Sequence, residues 1–281
     1  VTAMTYLSRI RINPLRAESR KLLANPRAMH AAVTGGIPGT PTGERTLWRL
    51  DADNPHRPHL FVLTPTKPDW THLVENAGWP DADGDHAAIR DYTPLLNQLA
   101  TGREFAFRLT ASPVQNTHTP IKPSTEQTTR LESADTDPGK RPRGFRLSHR
   151  TAAHQLHWLL TRAEKWGFDI PTSFTDPAAP GLTPAPTTPH ATPQNTPDPH
   201  HPDPNPAREV RIRARQRQSF TKNPSGRRVT FHTVTFEGHL RITDPTQLTT
   251  HLLNGIGPQK AYGCGLLTLA PLPTRTAHSH G

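Results

Sequence analysis

Residues 6–12 (YLSRIRI) place Tyr6, Ser8, Ile10 and Ile12 on one side of an extended chain, the period-two pattern of a strand. Pro14 ends it. Residues 15–24 are compatible with a helix. Asn25-Pro26 then presents an N-cap followed by proline at the first helical position, where the missing N–H costs nothing. A second short helix is expected from there, carrying Ala28, Met29, His30 and Val33 and stopped by Gly35-Gly36. Residues 45–50 and 59–64 read as a strand pair, 93–100 as a short helix, and 104–110 as a strand with Phe105 and Phe107 on one face. The order β-α-β-β-α-β is that of a ferredoxin-like unit.

Residues 113–143 are polar, charged and proline-containing, and read as a linker or long loop. Residues 145–147 offer a short strand. Residues 151–166 give the clearest helix, with Ala152, Leu156, Leu159, Leu160 and Ala163 at helical spacing. The tract 171–206 is rich in Pro, Thr, His and Asp. It cannot bury enough apolar surface to offset its ordering entropy, so disorder is expected, as an insert in place of a shorter loop. Residues 209–220 and 228–237 are two strands joined by a turn containing Asn223-Pro224-Ser225-Gly226. The second strand switches its apolar parity between Phe231 and Val234, which predicts a bulge there. Asp244 caps a helix running to about Leu253, and residues 263–270 (GCGLLTLA) form a last strand. The second half again reads β-α-β-β-α-β. The expected class is α+β, with two tandem ferredoxin-like (RRM-like) domains. They span residues 1–112 and 144–272, with 113–143 between them and 273–281 as a tail.

Composition adds a partner class. The formal net charge is +10 over 281 residues, which points to a polyanion: nucleic acid first, an anionic membrane surface second. Only 32% of residues are hydrophobic and 32 are prolines, so long stretches lie outside any core. The single cysteine, Cys264, excludes an internal disulfide and fits a reducing compartment. No apolar run approaches the roughly 20 residues that span a bilayer. Arg9, Arg11 and Arg16 interrupt the apolar stretch a signal peptide needs. A soluble, cytoplasmic protein without a membrane partner is expected.

The stretch VRIRARQR carries the most chemistry. On a regular strand, Arg211, Arg213, Arg215 and Arg217 share one face, roughly 6.5–7 Å apart. Four guanidiniums without acidic neighbours in sequence make a ladder able to bind phosphates bidentately. Lys222, Arg227 and Arg228 would extend it from the hairpin tip. The base-stacking aromatics of an RRM sheet are not evident, so a stem-loop held by its backbone fits better than a splayed strand. The cluster Gly255, Gly257, Gly263 and Gly265 with Lys260 matches neither a Walker A loop nor a dinucleotide fingerprint. No cofactor is expected. His30 sits among Arg20, Lys21 and Arg27, a cationic setting suited to phosphodiester chemistry. Metal sites are poorly supported. His154 and His157 lack a paired ligand, and Asp81-Ala-Asp83-Gly-Asp85 departs from a calcium loop at its glycine and its missing glutamate. Covalent catalysis has no candidate, since Cys264 lies in an apparently buried strand.

Three segments resemble one family: RKLLANPRAMHAAV (20–33), ERTLWRLD (44–51) and FEGHLRITDPTQLTTHLLNGIGPQKAYGCGLLTLAPL (236–272). They are similar to CasE, the repeat-processing endoribonuclease of type I-E CRISPR systems. The resemblance implies tandem ferredoxin-like domains and binding of the repeat hairpin in precursor CRISPR RNA. It implies cleavage at the 3′ base of that stem, leaving a 2′,3′-cyclic phosphate and a 5′-hydroxyl. It also implies retention of the product and assembly with the other subunits of Cascade. The family's catalytic histidine falls on His30, and its arginine-bearing hairpin most directly on Arg211. Relatives carry a tyrosine three residues before the histidine. Here that residue is Arg27, a second candidate catalytic group, able to stabilise phosphorane charge but not to move a proton. Whether His30 acts as base or acid stays open, and so does a non-catalytic hairpin-binding alternative.

Overall fold

The computed structural model describes residues 4–39, 45–82, 84, 86–117, 128–129, 144–172, 208–221 and 228–272. Most of the expected disordered tract, the tip of the second hairpin with Lys222 and Arg227, Asp83, Asp85 and the tail 273–281 lie outside them.

The first unit is built from β1 (Tyr6–Arg11), α1 (Ala17–Ala24), α2 (Pro26–Gly35), β2 (Leu47–Asp51), β3 (His59–Thr64), α3 (Thr71–Ala77) and β4 (Ala87–Asp91). Its four antiparallel strands lie in the order β2-β3-β1-β4, the ferredoxin-like arrangement. Ile10, Leu60, Val62 and Trp48 pack under Leu22, Met29 and Val33 of the helices and Trp70 and Leu73 of the α3 region.

The closing helix and strand of this unit differ from the expected ones. α3 and β4 take those places, while residues 93–100 give only a four-residue helix, α4 (Thr93–Leu96). The expected last strand of the first unit, β5 (Glu104–Ala111), is hydrogen-bonded into the second sheet between the last two strands of the chain, Arg228–Ile242 and Leu267–Ala270. Its alternating Phe105, Phe107 and Leu109 are buried in the core of that second sheet.

The second unit continues with β6 (Val114–Thr117), β7 (Phe145–Ser148), α5 (Ala152–Ala163), β8 (Phe168–Asp169), β9 (Val210–Thr221), β10 (Arg228–Ile242), α6 (Pro245–Asn254) and β11 (Leu267–Ala270). The sheet order β11-β5-β10-β8 is again ferredoxin-like. β9 pairs with β10 on the same edge as β8. β6 and β7 form a separate two-stranded ladder, so the expected linker begins in a strand. Asp244 caps α6 as expected, its Oδ1 accepting from the Thr246 and Gln247 N–H groups at 2.9 and 3.0 Å.

One apolar cluster joins the units. Leu47, Leu63 and Tyr92 of the first pack with Phe107, Trp158, Phe236 and Leu248 of the second. Arg49, 2% exposed, crosses the same junction. It holds Asp51 through two bonds of 2.7 and 2.8 Å. It also donates to the Arg108 and Leu266 carbonyls and to Thr268 Oγ1. The residues flanking 173–207 meet in an antiparallel bridge between Thr172 and Arg208.

Candidate nucleic-acid interface and catalytic centre

α2 begins as the sequence predicts. Asn25 Oδ1 accepts the Arg27 N–H at 3.0 Å, and Pro26 takes the first helical position. Pro26, Met29 and Val33 make the buried stripe. His30 flanks that stripe and is half-buried. Its Nδ1 is shut from solvent and has no hydrogen-bond partner, a condition that calls for a chemical or packing explanation. Burial lowers its pKa below the usual value, so the neutral ring predominates at neutral pH. Arg27 lies three residues earlier and is exposed. Burial is the cause of the shift, not the charge of Arg27.

Lys260–Tyr262 forms a short 3-10 turn that packs against α2 and β2. The glycine cluster thus brings Lys260 alongside the helix that carries His30. Burial first, then the charge of Arg45, lowers the Lys260 pKa. Gly255, Gly257, Gly263 and Gly265 all have positive φ. At Gly263 a Cβ would stand 2.7 Å from the Trp48 ring, and Trp48 Nε1 donates to the Ala261 carbonyl at 3.3 Å. The close approach that glycine permits here is to the first unit itself. The expected strand over 263–270 is correspondingly shortened to β11, because residues 263–266 form this clamp.

A cleft of about 340 Å³ lies between the two units beside α2, with Met29, Trp48, Arg108, Gln216, Thr233 and Tyr262 among its walls. Above it Phe220 and Phe231 pack on Tyr262, with ring centroids 4.8 and 5.9 Å away. This small cluster pins the β9–β10 ribbon to the glycine loop.

The arginine row does not stay on one face. The expected bulge between Phe231 and Val234 is absent. That parity switch arises because β10 runs between two cores. Phe231 and Thr233 face the cleft and Tyr262, whereas Val234, Phe236 and Leu240 face the helices. The bulge lies in β9: Ala214 pairs with Thr235 and Ile212 with Phe236, leaving Arg213 as the extra residue. A one-residue insertion reverses the side on which later side chains emerge. Arg211 therefore sits opposite Glu237, and Arg215 and Arg217 sit opposite Val234 and His232 on the other face.

The two halves meet different surroundings. Arg211 reaches Glu237 at 3.2 Å and Arg213 reaches Asp53 at 3.6 Å. Arg108 ties both acids together, at 2.6 Å to Asp53 and 3.3 Å to Glu237. Burial alone would raise the Asp53 pKa, but Arg108 and Arg213 together hold it below the usual value. The acidic neighbours missing from the local sequence are supplied across the fold. Arg215 instead donates to the Arg150 carbonyl. Arg228, at the start of β10, donates to Ser219 Oγ at 2.6 Å.

Among the described residues no three His, Cys, Asp or Glu side chains come together as a metal site. His154 Nδ1 is bonded to Thr151 Oγ1 at 2.7 Å, beside the N-cap of α5. Cys264 is fully buried and its thiol is pushed up to about 12, which removes it as a nucleophile. No described helix is long and apolar enough to cross a membrane. The sequence reading missed Arg150 and His232, which the fold brings beside Arg215 and Arg217. Its available signal was the HRT triplet at the entry to the clearest helix.

Comparison with known proteins places these features in context. A family described as "CRISPR associated protein" matches residues 5–271. The CRISPR-associated endoribonuclease Cse3 of Thermus thermophilus is 26% identical over 269 residues, covering 95% of this chain and all of that one. The Cascade subunit CasE of Escherichia coli is 58% identical over 40 residues, 14% of this chain and 20% of the relative. A solved structure of Cse3 bound to a 19-nucleotide RNA superposes with a TM-score of 0.62 at 25% identity, covering 96% of this chain and all of that one.

Proposed function

This chain belongs to the CRISPR associated protein family, and on that premise we propose that it is a cytoplasmic endoribonuclease that binds the repeat hairpin of precursor CRISPR RNA and cuts at the 3′ base of the stem. The Cse3 relative is named an endoribonuclease, and the full-length likeness to its RNA-bound form supports the same activity here. The observation that carries the site assignment is His30. It is a half-buried imidazole held neutral, with an unpartnered Nδ1, on a helix that packs against the glycine loop.

RNA brings its own nucleophile. The 2′-hydroxyl oxygen attacks the adjacent phosphorus and the bond from phosphorus to the 5′-oxygen breaks. One proton leaves the 2′-hydroxyl and one joins the departing oxygen. The products are a 2′,3′-cyclic phosphate and a 5′-hydroxyl, and no metal is needed. A neutral His30 is in the form that accepts the 2′-hydroxyl proton. Arg27 and Lys260 supply positive charge for the phosphorane oxygens. The arginines of β9 hold the RNA, together with Arg228 at the start of β10 and with Lys222 and Arg227. The processed RNA stays bound, and the protein joins the other Cascade subunits, as the name of the Escherichia coli relative suggests.

Incubation with a repeat-hairpin transcript in EDTA tests this. Cleavage giving the cyclic phosphate is expected, together with none on an RNA carrying 2′-deoxyribose just 5′ of the scissile phosphate. Activity that disappears in EDTA and returns with magnesium contradicts the mechanism. Tight binding without any cleavage favours a non-catalytic hairpin-binding subunit.

A further inference from the structure

The fold gathers a set of cations on the side of the β9–β10 ribbon away from the cleft. Arg215 fastens the ribbon to the Arg150 carbonyl, one residue before the N-cap of α5. His232 stands directly across from Arg217. Burial, then the charges of Arg150, Arg217 and Arg215, lower the pKa of His232.

Among the described residues, no counter-charge reaches this patch. Among the described residues, the ion pairs of β9 end at Arg213, and no carboxylate pairs with Arg150, Arg215 or Arg217. Three exposed guanidiniums crowded without an acid repel one another, and a polyanion relieves that repulsion. Guanidiniums offer only donors, in a fork that fits a phosphate's oxygens. The neutral imidazole of His232 beside them still donates one N–H. Among the described residues no large aromatic ring lies open beside them for a base to stack on, since Phe145, Trp158 and Phe231 are buried.

Resting on the reading above, we propose that Arg150, Arg215 and Arg217, with His232, form a second phosphate-binding site for the bound RNA, on the face of the ribbon opposite the cleft. The RNA backbone is then held on both sides of the β9–β10 ribbon: by Arg211 and Arg213 near the cleft, and by this patch behind it. Binding here is to phosphodiesters and carries no base specificity of its own.

The test is a salt titration of hairpin-RNA affinity for the full chain, for Arg150→Ala/Arg217→Ala, and for Lys165→Ala as a control. Lys165 is exposed and lies beyond the opposite end of α5. The double variant is expected to bind at least tenfold more weakly at low salt. The logarithmic salt slope should fall by roughly 0.7–0.9 for each phosphate that is no longer neutralised. Lys165→Ala should match the parental protein. Far-ultraviolet circular dichroism and the thermal midpoint report whether each variant is folded. Arg150→Gln/Arg217→Gln, which keeps side-chain bulk, replaces any variant that is not. Parental affinity and slope in the double variant overturn this site while leaving the endoribonuclease reading intact. Failure of the unsubstituted chain to bind the hairpin overturns both.

Discussion

At one end of β9, Arg211 and Arg213 stand over Glu237 and Asp53, with Arg108 bridging the two acids. At the other end, Arg215 and Arg217 stand beside Arg150 and His232, where no described carboxylate pairs with them. The strand supplies the same residue type to both ends, and one bulged residue sends the ends to opposite faces. The first set belongs to a compensated network that continues through Asp51 to the buried Arg49 and ties the two sheets together. The second keeps its charge available. Arginines alike in sequence thus differ in how much of their charge is compensated, by what the fold places across from them.

The largest effect is expected where the compensated network is buried. Arg49→Ala leaves Asp51 and two main-chain carbonyls without their donor. Removing one partner of a buried pair costs about 3–5 kcal/mol. Urea unfolding should show a loss of that order, and a loss below about 1 kcal/mol, the scale of an exposed pair, would mean that the junction does not depend on Arg49.

A matched pair of double variants comes next. Arg211→Ala/Arg213→Ala and Arg215→Ala/Arg217→Ala each remove two positive charges. If net charge alone governs RNA binding, both lose affinity equally. The account expects the second to lose about tenfold or more, equivalent to about 1.4 kcal/mol, and the first to lose less. In the first set the gain from binding RNA competes with Asp53 and Glu237. Equal losses at every salt concentration would dissolve the distinction.

The smallest effect concerns pH. The folded state holds Asp53 below its ordinary pKa. A depressed carboxylate stabilises the fold above its unfolded pKa of about 3.9, and that contribution disappears as pH falls through the folded value. The urea midpoint of the parental protein should therefore exceed that of Asp53→Asn at pH 6, with the gap closing below about pH 4. Asp53 is partly exposed, so solvent screens the interaction and the gap should be modest. A gap that widens on acidification would reverse the assigned sign.

Local signals carried much of the architecture. β1, the Asn25-Pro26 start of α2, the β9–β10 hairpin and the Asp244 cap all follow from short-range rules of alternation and capping. What escaped was non-local. β4 is a five-residue edge strand without a fully buried side chain, so its alternation is faint. β5 reads as a strand from its own residues, but which sheet it joins depends on partners more than a hundred residues away. The acids facing Arg211 and Arg213 lie 26 and 160 positions from them in the chain. The parity switch in β10 was visible, yet it has two causes that sequence cannot separate: a bulge, or a strand lying between two cores. At the site, the helix carrying His30 was legible from its cap and its periodicity. Choosing His30 among seventeen histidines rested on the family resemblance, because a lone histidine at a helix flank has no pattern of its own.

The most direct test of the central claim compares cleavage and binding in one variant. His30→Ala is assayed against a repeat-hairpin RNA in single turnover at saturating enzyme, with affinity measured on the same preparation. Loss of a positioned proton-transfer group should lower the rate by about 10²–10⁴-fold. Affinity should stay within a few fold, because phosphate contacts made elsewhere sustain it. A variant that cleaves at the parental rate would contradict the assignment of His30.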